Sequence, residues 1–190
     1  MNTPAHVLLS VAAAGKPASK GRNAALIAGA LFPDMMMFVM VAWERWINGL
    51  SLELIFREAY FSDFWQEIFA INNSAPVFAL LLVMGLALRI EWLWAFGLAA
   101  LLHAMCDLPL HYDDGHPHFW PFTDWIFASP VSYWDPRHHG VAAGWAEAGL
   151  SVVLAVILLR RFKSVLARAA IIVGLMIELV FSVGGHLIYG

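Results

Sequence analysis

The stretch WLWAFGLAALLHAMCDLPLHYDDGHPHFWPFTDW, residues 92–125, decides the reading of this chain. Its first part is apolar from Trp92 to Leu110, about 28 Å of helix at about 1.5 Å per residue, which matches a bilayer core of about 30 Å. His103 and Asp107 stand inside that run, and His111, Asp113, Asp114, His116, His118 and Asp124 follow at once. Charge at membrane depth is costly, so it marks a working site. Imidazoles and carboxylates this dense are the usual equipment for a divalent metal, with zinc the first expectation.

The rest of the chain has the same character. Of its 190 residues 61% are hydrophobic and only 13% charged, with a mean hydropathy of +0.71. A soluble domain carries roughly a quarter charged residues, so the expected class is all-α, a polytopic transmembrane helical bundle in a single membrane domain over residues 1–190. Apolar stretches at residues 23–46, 74–88, 92–110, 141–159 and 169–189 are expected to span, the second being short enough to need an upright pose or support from its neighbours. Residues 4–14 read as a short helix crossing half the bilayer, so the expectation is five full spans plus a short N-terminal half-span helix. Pro33 before Asp34 predicts a kink or break in the first span, with Asp34 either in the pocket or capping a helix that restarts at Met35.

Several function classes drop out. A net charge of −3 with no basic stripe predicts no nucleic-acid partner. Cys106 is the sole cysteine and reads as a packed helix residue. The opening MNTPAHVLLSVAAAGKP is short and weakly charged at its front, so it is expected to stay attached rather than serve as a secretion signal. Met35, Met36 and Met37 read as gap-fillers, the tryptophans flanking the spans as interfacial anchors, and Gly184 and Gly185 as close-packing positions.

Lys16, Lys20, Arg22, Arg89, Arg160, Arg161, Lys163 and Arg168 fall in connections on one side of the expected bundle, whereas Arg45, Arg57 and Arg137 fall on the other. The positive-inside rule makes the first side cytoplasmic and puts 47–73 and 111–140 outside. Asp34, His103 and Asp107 then lie roughly 16 to 23 Å from the cytoplasmic ends of their helices, in the same outer half of the membrane. Glu147 and Glu178 lie deep enough to share the pocket, and His6 joins them if the half-span helix descends from the outer face.

His103, Asp107 and His111 are four apart, so a continuous helix would stack them on one face. Pro109 permits the helix to end there, and Gly115 and Pro117 let the loop over 111–140 fold back across the pocket. A lone His on an apolar helix is more often a bonded core residue than a ligand. Two His and an Asp in register, with more behind them, favour a metal. His6, Asp34, His103, Asp107 and His111 are the expected ligands, and Asp113, His116 and His118 the expected proton handlers. His138 and His139 read equally as caps over the site or as idle loop residues.

NTPAH (2–6), GALFPD (29–34), LLHAMCD (101–107) and HFWPFTDW (118–125) resemble the predicted membrane-bound metal-dependent hydrolases of bacterial inner membranes. A closer subset, sometimes labelled cobalamin biosynthesis proteins, is similar through YFSDFWQ (60–66), NNS (72–74), LHYDDGHPHFWPFTDW (110–125) and SPVSYWDPRHHG (129–140). The resemblance covers about residues 1–140. It implies ligands at His6, Asp34, the NNS region, His103 and Asp107. Where the family carries a middle His, this chain has Asn73, and His111, His116 and His118 are the available replacements.

The expected function is hydrolysis of a lipid or other membrane-derived ester or phosphoester by a metal-generated nucleophile, in a multi-pass inner-membrane protein with its pocket toward the periplasm. The expected partners are membrane lipid, a lipid-like or small-molecule substrate, and a membrane protein of unknown kind. A non-catalytic subunit or assembly factor with an inherited pocket, or a small transporter, remains as an alternative.

Overall fold

A computed structural model describes residues 1–184. Among these the regular structure is entirely helical: α1 (Thr3–Ala14), α2 (Lys20–Trp46), α3 (Leu52–Arg57), α4 (Asp63–Asn72), α5 (Ala75–Ala87), α6 (Glu91–Asp107), α7 (Gly140–Arg161) and α8 (Val165–Leu179), the last running into a π-helical turn over Val180–Gly184. Five segments are long and apolar enough to cross a membrane: Lys20–Trp46, Asp63–Ala87, Glu91–Leu110, Gly140–Arg161 and Val165–Gly184. The chain is an all-α, multi-pass bundle with a shorter N-terminal helix. Its outward residues, among them Leu80, Val83, Val153 and Val156, are apolar and exposed, as lipid contact requires.

Three boundaries differ from the sequence expectation. The short second span is longer, because α4 and α5 form one apolar segment interrupted only at Asn73 and Ser74, so residues 63–73 are not part of an outer loop. The break expected at Pro33 does not occur. α2 runs through the proline, so Asp34 lies inside a helix and is no N-cap. The fifth span begins earlier, at Val165, and its expected end at Tyr189 lies outside the described residues, as does Gly185.

α2 packs closely on α6. A Cβ on Gly29 would stand 2.3 Å from the Phe96 carbonyl oxygen, so the two backbones approach as only glycine allows. Leu26 and Ala30 of α2 pack there with Ala95 and Ala99 of α6, all fully buried. α2 stays helical through Pro33 while packed this closely on α6.

α1 is wedged between α2, α6, α7 and α8. A half-span helix has both ends close to lipid, where unpaired backbone groups are costly. Its N-terminus is held by two carboxylates: Asn2 N donates to Glu147 Oε1 at 2.5 Å, Ala5 N to Glu178 Oε2 at 3.2 Å and Asn2 Nδ2 to Glu178 Oε1 at 3.4 Å. At the other end Arg161 donates to the carbonyls of Val11, Ala12 and Gly15 at 3.3, 2.8 and 3.2 Å. Acid at the N-terminus and base at the C-terminus both favour the helix dipole. Glu147 and Glu178 therefore fasten α1 rather than line the polar cavity, which corrects the expectation that they share it.

Candidate metal centre

Four helix positions bring the centre together. α1 carries His6, α2 carries Asp34, and α6 carries His103 and, one turn on, Asp107. His6 and His103 are about 1% exposed and Asp107 5% exposed, so the set is withdrawn from solvent and lipid. Ligand atoms of His6, His103 and Asp107 all lie within 4.8 Å of one another. His6 Nε2 is 2.9 Å from Asp107 Oδ1, and His103 Nε2 is 3.0 Å from Asp107 Oδ2 and 3.5 Å from Asp34 Oδ1. Met1 completes this corner, its amino group donating to Asp107 Oδ1 at 2.8 Å and its carbonyl lying 3.2 Å from His6 Nε2.

The surroundings fix the orientation of each donor. His103 Nδ1 lies 2.7 Å from the Ala30 carbonyl, which sets it as the N–H and leaves Nε2 facing the carboxylates. That nitrogen is aligned for a hydrogen bond with neither of them. Asp34 is held by the Thr3 hydroxyl, which donates to Oδ2 at 2.5 Å. A ligand histidine anchored through its other nitrogen, beside an anchored carboxylate, is the usual outer support of a metal site.

The spacing approaches that of such an ion. Donors about 2.0–2.2 Å from a tetrahedral centre sit about 3.3–3.6 Å apart; His103 Nε2 to Asp34 Oδ1 at 3.5 Å matches that edge, the contacts of 2.9 and 3.0 Å to Asp107 are shorter, and the stacked rings of His6 and His103 would have to turn for both lone pairs to meet one ion. Two nitrogens with one or two carboxylate oxygens suit zinc or a neighbouring first-row ion. Convergent acceptors also demand positive charge between them. His6 Nδ1 is the weak point, since it is buried without a partner.

His111 departs from the expected register. α6 ends at Asp107, a 3-10 turn over Leu108–Leu110 follows, and His111 is extended, so it is not stacked on the helix face. It still approaches Asp107 Oδ2 at 3.8 Å while its Nδ1 stands 3.0 Å from Asp114 Oδ1. Burial pushes the His111 imidazole down, but Asp107 and Asp114 outweigh it and hold its pKa at about 9. It lies outside the close group of three.

Above the centre is a cavity of about 660 Å³, walled by Asp34, Tyr60, Asp107, His111, Asp114, His116 and Tyr133 among others. The loop over 111–140 covers it, pinned to the end of α6 where Ser129 N donates to the His111 carbonyl and Tyr133 N to the Leu110 carbonyl, both at 2.9 Å. Asp113 reaches the cavity rim and is exposed, whereas Asp114 takes the inward place and accepts from Trp134 Nε1 at 2.8 Å. Sequence spacing did not distinguish the two, because the turn alone decides which faces inward. His116 lines the cavity against Phe69, its ring 4.7 Å from that phenyl, and burial with the fields of His111 and His118 pushes its pKa down to about 3.

His118 sits elsewhere. It is 2% exposed, its Nδ1 lies 2.8 Å from the His116 carbonyl, and it is not among the residues lining the cavity. Its backbone carbonyl accepts from Ala75 N at 2.8 Å, and Ser74 Oγ donates to the Trp120 carbonyl at 2.5 Å, so this part of the loop docks on the break between α4 and α5. Asn73 turns its amide to the Phe69 carbonyl at 3.0 Å and caps α4. His138 stacks on Tyr112 with ring centroids 3.5 Å apart. No family model, curated protein or solved structure matches this chain.

Proposed function

We propose that this chain is a metal-dependent hydrolase of a bacterial inner membrane, of the kind its NTPAH, GALFPD and LLHAMCD elements resemble, cleaving a lipid or other membrane-derived ester, with a phosphoester first. The observation that carries this reading is the buried group His6, His103 and Asp107, with His103 Nε2 turned toward two carboxylates and aligned on neither. Those three residues would hold a divalent metal, zinc first, with Asp34 beside them. Such an ion, when bound, lowers the pKa of water enough to supply a nucleophile near neutral pH.

The chain's own groups divide the remaining work. Thr3 and the Ala30 carbonyl orient Asp34 and His103. His111, held protonated between Asp107 and Asp114, stands on the cavity wall where a leaving oxygen would need a proton, while His116 lies neutral beside it and Asp113 marks the rim open to water. The loop over 111–140 excludes bulk solvent. Lys16, Lys20, Arg160, Arg161, Lys163 and Arg168 gather at the opposite end of the bundle, which supports a cytoplasmic location for that end and a periplasmic one for the cavity.

One observation favours a rival, a metal-free structural knot: the Met1 amino group already supplies a cation to Asp107. Metal analysis separates the two. Purified protein should carry a divalent metal that is lost when His103 and Asp107 are both replaced by Ala, and release of phosphate or alcohol from membrane esters should be lost with it. Absence of metal from the wild type even after exposure to zinc would overturn the hydrolase reading.

A further inference from the structure

A second cavity, of about 340 Å³, lies below the polar one. Its floor is α1, through Pro4, Val7, Leu8 and Val11. One wall is α2, through Asn23 and Ile27, and the other is formed by α8, including Ile171 and Gly174, with Leu158 of α7 and Phe162 just past its end behind. Pro4 also lines the polar cavity, so the two spaces are neighbours at that residue. The mouth of the polar cavity is itself apolar on this side, with Phe38 of α2 and Phe181 after α8 both exposed.

We propose that this slot is the binding site for the hydrocarbon tail of an amphiphile whose polar head enters the cavity at Asp107 and His111. What happens to the head rests on the hydrolase reading. The tail site stands on its own lining. From Pro4 to Val11 the floor extends about 10 Å along the helix axis, which suits an extended alkyl or isoprenoid chain. A transmembrane helix carries no polar head to place beside Asp107 and His111 at the Pro4 end of the slot.

The half-length of α1 is what creates the arrangement. Its N-terminus stops at the level of the metal centre, so a chain lying along it has its upper end beside Asp34 and Asp107. Lipid is as apolar as the slot, so the tail gains little affinity there. The slot steers instead, presenting one bond of the head to the centre. Gly174 lines the slot, and a Cβ built on it meets no heavy atom within 4 Å, so a side chain can be started there without a clash.

The test uses the full chain in phosphatidylcholine nanodiscs containing phosphatidic acid with a diazirine near the end of one acyl chain. Photolysis and peptide mapping should place cross-links at Val11, Ile27 and Ile171 above the level at Val83 and Val153, which are ordinary lipid-facing positions. In Gly174→Trp, and independently in Ile27→Trp, that excess should vanish. Cross-links spread evenly over the apolar surface, an excess unchanged in both variants, or links between two copies through Ile27 would each overturn the proposal. Cross-linking needs no turnover. A slot that captures the tail in a protein that hydrolyses nothing leaves the tail site standing and removes the hydrolase reading, whereas turnover without the excess does the reverse.

Discussion

The imidazole rings of His6 and His103 lie face to face, their centroids 3.6 Å apart and their planes 7° from parallel, on helices from distant parts of the chain. Two imidazolium rings cannot be held so closely without strong repulsion, so both cannot be protonated together. A metal ion meets the demand for positive charge without protonating either ring. Added zinc should therefore raise the unfolding midpoint of detergent-solubilised protein in a concentration-dependent way, by about 2.7 kcal/mol of stability at a hundred times Kd. His103→Ala should abolish the shift. A midpoint indifferent to zinc in the wild type would point to the metal-free knot.

Thr3 tests the support of the centre without touching a ligand. Its hydroxyl donates to Asp34 Oδ2, so Thr3→Val keeps the shape and removes the bond. Loss of such an outer partner typically weakens metal binding by about 10–100-fold. Competition with a fluorescent zinc chelator should show that loss, and Thr3→Ser should largely recover it.

Gly29 governs the approach of α2 to α6. Gly29→Val forces a side chain against the Phe96 carbonyl, where even a Cβ would stand 2.3 Å away. Overpacking of this kind costs about 1–3 kcal/mol, and the parting of the helices should also draw the Ala30 carbonyl from His103. Thermal unfolding and zinc affinity should fall together. An unchanged zinc affinity in a destabilised variant would uncouple the packing from the centre.

The cover loop should respond to pH through His111 and Asp114. The His111 pKa is raised from 6.5 to about 9, so its contribution is complete below about 6.5 and is lost as pH rises through about 9. Asp114 is shifted the other way: burial raises it, but contact with His111 and the bond from Trp134 hold it below 3.8, so its contribution is lost only in acid. Hydrogen exchange of the backbone over 111–118 should be slow near pH 6 and accelerate toward pH 9 beyond the intrinsic trend. Asp114→Asn should remove that excess.

The sequence by itself determined the solvent, the class and the level of the site. Hydropathy and length specify spanning helices because a bilayer core has one thickness and admits no unpaired backbone. Similar counts from the basic ends put Asp34, His103 and Asp107 in the same outer half of the bilayer, since rise per residue is constant. The half-span helix was legible too, as a run too short to cross.

Only the tertiary structure decided direction and role. Pro33 was compatible with a break or with a continuous helix, and the folded chain has the latter, closely packed on α6 through Gly29. Glu147 and Glu178 had the depth of pocket residues, but the N-terminus of α1 needed acceptors and took them. Register put His111 on the helix face, whereas the helix ended at Asp107 and the turn carried His111 across to Asp114. Depth and spacing are properties of one helix. Which carboxylate meets which imidazole depends on how helices rotate against one another, and that is set by packing between residues far apart in the chain.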